Sequence, residues 1–136
     1  MLKIINTNTI RRSFEMTIGL SKGYKGKMMY DMEEAEKIIL DWLSEQQATG
    51  RPYIPGKLDY NTMLYTHHGK KSIEPVAIYK GELSPLYNSE LPDALAIKAL
   101  IELATLLAEK LRQTRIYLTY RDKIFILEDS ARKAEH

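Results

Sequence analysis

Ile10-Arg11-Arg12-Ser13-Phe14-Glu15-Met16-Thr17-Ile18-Gly19-Leu20 places Ile10, Arg12, Phe14, Met16, Ile18 and Leu20 on one face and Arg11, Ser13, Glu15 and Thr17 on the other. A period of two marks a strand with one buried side. Arg12 interrupts the apolar face, so burial is expected to start at Phe14. Ser21 to Lys27 (SKGYKGK) reads as a loop with two glycines, and residues 2–5 read as a short edge strand.

The period then changes. Ala35, Ile38, Ile39, Trp42 and Leu43 recur at helical spacing behind Asp31, which stands as an N-cap with Glu34 three residues on. Gly50 and Pro52 close this helix. Leu58 to His67 alternates again, His68-Gly69-Lys70-Lys71 makes a turn, and Val76 to Leu83 returns. Pro75 has no N–H for a ladder, so the returning strand is expected to begin after it or to lie at an edge there.

Pro92 opens a long helix over residues 92–112. Its polar face is narrow, formed by Lys98, Glu102, Thr105, Glu109 and Arg112, and leucine, isoleucine and alanine fill the rest. So wide an apolar surface predicts burial on most sides, including against a second copy. A hairpin of residues 115–120 and 124–128, turning at Arg121-Asp122-Lys123, ends the domain, and residues 129–136 form a polar tail.

The order β-α-β-β-α-β-β predicts one α+β domain over residues 1–128. Its arrangement is a ferredoxin-like βαββαβ antiparallel sheet with an additional C-terminal hairpin strand and two helices on one face. A chain of 136 residues suits one domain. The absence of cysteine fits a reducing compartment and removes thiolate chemistry. The first residues turn polar at Asn6 and no apolar run is long enough to span a bilayer, so a cytoplasmic protein is expected.

A net charge of +2 does not argue for nucleic acid. Residues 75–81 do not match the aromatic RNA-binding strand of a recognition module that shares the element order. No nucleophile elbow, zinc-protease motif or dinucleotide fingerprint occurs, and no cofactor is expected. His67 and His68 are adjacent on a strand and should point to opposite faces, which speaks against a shared metal.

Two clusters suggest a ligand instead. The loop carrying Lys22, Tyr24 and Lys25 joins a strand to a helix N-terminus, a setting that favours anions, although it is not a Walker loop. Tyr87 and Asn88 precede the long helix, Arg112 closes it, Arg115 opens the next strand, and Arg121 sits at the last turn. Tyrosine faces stack on rings and guanidinium groups grip phosphate. The plainer alternatives are a solvated basic loop and arginines that serve the helix dipole or an exposed strand. Nine tyrosines stand against two phenylalanines, with Tyr60, Tyr65, Tyr79, Tyr117 and Tyr120 on expected strands, where half-wet side chains suit a groove or an interface.

Residues 14–23 (FEMTIGLSKG) and 113–120 (QTRIYLTY) resemble segments of small phage-encoded accessory proteins, among them the Thoeris anti-defence sponges. The resemblance implies a non-enzymatic homo-oligomer that sequesters a phosphate-bearing signal, a cyclic nucleotide or an ADP-ribose derivative. The first expectation is therefore a small-molecule binding protein, not an enzyme. The second is a protein-interaction module or phage regulator that docks a host protein through its apolar helix. An enzyme using Asp122, Glu128 or His67 comes third.

Overall fold

The computed structural model describes residues 1–5, 10–22, 28–29 and 32–129, with backbone alone at 22, 28 and 29. The elements are β1 (Ser13–Gly19), β2 (Ser21–Lys22), β3 (Met28–Met29), α1 (Met32–Ala48), β4 (Lys57–His67), β5 (Lys70–Glu82), α2 (Asp93–Lys110), β6 (Arg115–Tyr120) and β7 (Lys123–Glu128). A five-stranded antiparallel sheet runs in the order β4-β5-β1-β6-β7, and β2 and β3 form a separate two-stranded piece. Without β7, this is the ferredoxin-like strand order. The expected α+β class and the additional edge strand are both present.

The alternation in β1 decides which side of the sheet is covered. Met16 sits opposite Tyr79 of β5 and Leu118 of β6, and Ile18 opposite Ala77. All five side chains are buried beneath the helices. Their neighbours Glu15 and Thr17 point to the other face, which no helix covers. α1 packs against α2 and contributes Ala35, Ile39 and Trp42 to the core. Its buried Gln46 is satisfied by donating from Nε2 to the Pro52 carbonyl at 3.0 Å. Asp31, the expected cap, lies outside the described residues. Gly50 takes the left-handed φ of +71° that stops the helix.

α2 lies among α1, β6 and β1. Ala96, Ala99, Leu100, Leu103, Ala104 and Leu107 are buried, and Ile97, Ile101 and Leu106 pack against the core as partly buried side chains. Leu95 is the one large apolar side chain of α2 left exposed. Its wide apolar surface is therefore used inside one chain, and the reason for expecting a partner or a second copy on helix 92–112 falls away. Pro92 stands at the N-cap rather than in the first turn. No described helix is long and apolar enough to cross a membrane.

Two expectations change at the edges of the sheet, and of the two alternatives at Pro75 the edge position holds. Residues 2–5 form no strand and remain exposed. The β4–β5 turn is shorter than expected, with only His68 (φ +51°) and Gly69 (φ +77°) between the strands. Two left-handed residues are what a two-residue turn of type I′ requires.

Pro75 lies inside β5, opposite Thr62. Its carbonyl accepts from the Leu20 N–H, so its missing donor faces β1 where that strand has ended. The β4–β5 ladder loses no bond to it. The ribbon can therefore run on past the helices, leaving Leu64 and Ile73 exposed.

Candidate functional site

The uncovered sheet face carries a cavity of about 820 Å³ built from four segments. Thr17 and Gly19 form its floor from β1, and Glu74 and Val76 come from β5. Met63, Tyr65 and His67 rise from β4, while Gln113, Thr114, Arg115 and Tyr117 close it from the start of β6. The register explains the grouping: Met63 pairs with Glu74, Gly19 with Val76 and Thr17 with Tyr117. Period-two alternation then brings their side chains to one face.

Gly19 makes the floor open. A Cβ at this position would collide with Oε1 of Gln113 and lie 3.3 Å from Oε1 of Glu74. The carboxamide and the carboxylate therefore converge above the glycine. Gln113 is fixed by its Nε2, which donates to the carbonyls of Ser21 (3.0 Å) and Leu111 (2.8 Å). That arrangement turns Oε1 inward as an acceptor. Tyr65 and Tyr117 flank the pair and present partly exposed rings. The cavity offers acceptor oxygens between two aromatic faces, which suits a cationic or ring-bearing ligand.

Of the residues singled out in the sequence, Arg115, His67 and the strand tyrosines Tyr65 and Tyr117 reach this cavity. Arg115 donates to Oε1 of Glu128 at 2.9 Å. His67 stacks edge-on against His68 with ring centroids 4.1 Å apart. The left-handed turn at His68 brings these rings together, against the expectation that they diverge. Among the described residues, no group of three or more metal-ligating side chains forms.

The other candidates do not converge. Tyr24 and Lys25 lie outside the described residues, as does the side chain of Lys22. Tyr87 is exposed and meets Tyr53 edge-on at 6.1 Å. Asn88 is buried and structural: its Nδ2 donates to the Tyr53 carbonyl (2.9 Å), and its own carbonyl accepts from Arg12 (2.7 Å). Arg112 sits at the far end of α2 with φ +51°. An 18-residue helix is about 27 Å long, so Arg112 and Arg115 are separated from Tyr87, Asn88 and Arg121 by its whole length.

Arg121, at φ +52°, borders a second cavity of about 630 Å³ at the opposite end of the open face. Three of its four cations are already matched. Arg11 pairs with Glu82, Lys80 with Asp59 at 3.0 Å, and Arg121 with Asp93 at 3.0 Å. Arg121, expected to grip phosphate, is thus held by a carboxylate, as Arg115 is by Glu128.

No family model and no curated protein matches the chain. Solved structures do, and two of them are phage SAM lyases. A phage SAM lyase in complex with S-methyl-5'-thioadenosine overlays with a TM-score of 0.69 at 13% identity, over 93% of this chain and 97% of that one. A phage SAM lyase in the apo state overlays with a TM-score of 0.70 at 13% identity, over 94% and 98%. The fold is that of phage SAM lyase. The expectation of a non-enzymatic sponge, with its entailment that the chain is no enzyme, is overturned by this finding. The architecture read as a passive binder is one on which an enzyme is built.

Sequence reasoning missed Glu74 and Gln113. Glu74 lies before Val76, where the returning strand is expected to start, and Gln113 between the long helix and the strand that starts at Arg115. Tyr65 and Tyr117 were visible as strand tyrosines, but only the register shows that they share a cavity.

Proposed function

We propose that the chain is a lyase for a sulfonium nucleoside of the S-adenosylmethionine type, working from the open-face cavity. The observation that carries this reading is the meeting of Glu74 and Gln113 between Tyr65 and Tyr117, in a fold shared along nearly its whole length with a phage SAM lyase. Aromatic faces hold a sulfonium by cation–π attraction, worth about 0.5–2 kcal/mol. Glu74 supplies two acceptor oxygens for ribose hydroxyls or for the ammonium of the amino-acid arm. Gln113 adds a fixed acceptor.

The chemistry requires neither a metal nor a nucleophile from the protein. The S–Cγ bond breaks and its electron pair stays on sulfur, so the sulfonium leaves as the neutral thioether S-methyl-5'-thioadenosine. The carboxylate of the same substrate closes on Cγ as a five-membered lactone, and no water or external proton is consumed. A positive and a negative charge both vanish, so a pocket that excludes water favours the step. The protein's task is then to hold the substrate folded, and positioning of this kind is sensitive to small displacements.

Incubating purified protein with S-adenosylmethionine should release S-methyl-5'-thioadenosine, detected by chromatography and mass. Glu74→Gln is expected to lower kcat/KM by about 100-fold with the thermal midpoint retained. Intact substrate after prolonged incubation with folded protein would overturn the proposal.

A further inference from the structure

The open-face cavity carries opposite charges on its two sides. The sheet order β5-β1-β6 sets Glu74 and Arg115 on the strands that flank Gly19 and Thr17, two strand spacings or about 10 Å apart. Glu74 turns its carboxylate over Gly19, with Oε1 3.3 Å from where a Cβ would lie. Arg115 borders the same cavity with its side chain 42% exposed. The field across the cavity therefore runs between a carboxylate on β5 and a guanidinium on β6.

Arg115 is fixed from outside the cavity. Glu128, its partner on β7, does not line the cavity and accepts from Nη2 at 2.9 Å. Glu128, followed by Tyr117, raises the Arg115 pKa, so the group stays a cation. One carboxylate does not exhaust the N–H donors of a guanidinium fork. The bond to Glu128 orients the fork, and less side-chain freedom remains to be lost when a second acceptor arrives.

The sulfonium nucleoside proposed above has matching charges, with a sulfonium and an ammonium at one side of its arm and a carboxylate at the end. Resting on that reading of the cavity, we infer that Arg115 holds one oxygen of the substrate's α-carboxylate and so selects adenosyl compounds with an intact amino-acid arm. The same polarity sets the geometry of the reaction. Glu74 draws the sulfonium towards β5, while Arg115 keeps the carboxylate on the far side of Cγ. The second carboxylate oxygen then forms its bond to Cγ as the S–Cγ bond opposite breaks, and the electron pair leaves on sulfur. A decarboxylated arm offers Arg115 nothing and cannot close.

Calorimetric titration with two probes tests the role of Arg115. S-methyl-5'-thioadenosine lacks the arm, whereas S-adenosylhomocysteine carries it on a neutral sulfur and has no sulfonium to break. Arg115→Ala and Arg115→Gln should each weaken S-adenosylhomocysteine about tenfold and leave S-methyl-5'-thioadenosine unchanged, which also shows that the variants fold. With S-adenosylmethionine as substrate, both variants should raise KM and lower kcat. Equal losses for the two probes, or no loss for either, would overturn the role of Arg115 and leave the cavity as the site. Failure of both probes to bind the unaltered protein would instead overturn the reading of the cavity, and this inference with it.

Discussion

Replacing Gly19 by alanine would put a methyl group where the Gln113 carboxamide oxygen rests, with the Glu74 carboxylate just beyond it. The side chain that must move is the one that closes the cavity floor. Overpacking of this sort costs about 1–3 kcal/mol. Gly19→Ala is therefore expected to weaken binding of S-methyl-5'-thioadenosine by about tenfold or more in a calorimetric titration, and an unchanged affinity would show that the Glu74–Gln113 pairing does not matter. Nothing at Gly19 in the sequence announced this. The glycine falls on the polar side of the β1 alternation, and its neighbours above the sheet come from residues 74 and 113. Asn88 taught the reverse lesson: a polar loop residue that suggested a ligand is consumed in holding its own loop.

The start of β1, the N-terminus of α2 and the β6–β7 turn are tied by one polar knot. Asp93 accepts from the Tyr120 hydroxyl at 2.6 Å, from Arg12 at 3.2 Å and from Arg121 at 3.0 Å. Arg12 also donates to the carbonyls of Leu91 (2.5 Å) and Asn88 (2.7 Å). Arg12→Ala would leave these acceptors short of partners and should cost about 2–3 kcal/mol in denaturant unfolding.

The same knot should set the pH response. The Tyr120 hydroxyl, followed by Arg12, holds the Asp93 carboxyl below the usual aspartate range. Its stabilisation is present above about pH 4 and is lost as pH falls through the lowered folded value. Burial, followed by Asp93, pushes Tyr120 up to about 12. That contribution is whole below about pH 10 and is lost as pH rises towards the raised value. Asp93→Asn should flatten the acid limb of a stability profile, and an unaltered limb would assign acid sensitivity elsewhere. Elements such as β1 and α1 were legible because their periods are local. The extent of β5 was not, since Pro75 is tolerated only because β1 ends beside it.

For the molecule as a whole, the two faces of one sheet have different employment. The helix face is filled, and α2, whose apolar breadth suggested an external partner, completes it. The opposite face is open and holds the groove in which Tyr65, Glu74, Gln113 and Tyr117 meet. Local pattern could establish the α+β class and the strand alternation. It could not bring together residues 52 positions apart along the chain, Tyr65 and Tyr117, because that depends on strand order and register. The arginine cluster failed for the same reason, as α2 holds its members at opposite ends. Titrating S-methyl-5'-thioadenosine into isotope-labelled protein and mapping the amide shifts tests the placement of the site most directly. Shifts concentrated at Thr17, Tyr65, Glu74, Gln113 and Tyr117 are expected. Silence at saturating ligand, or shifts confined to the helix face, would contradict it.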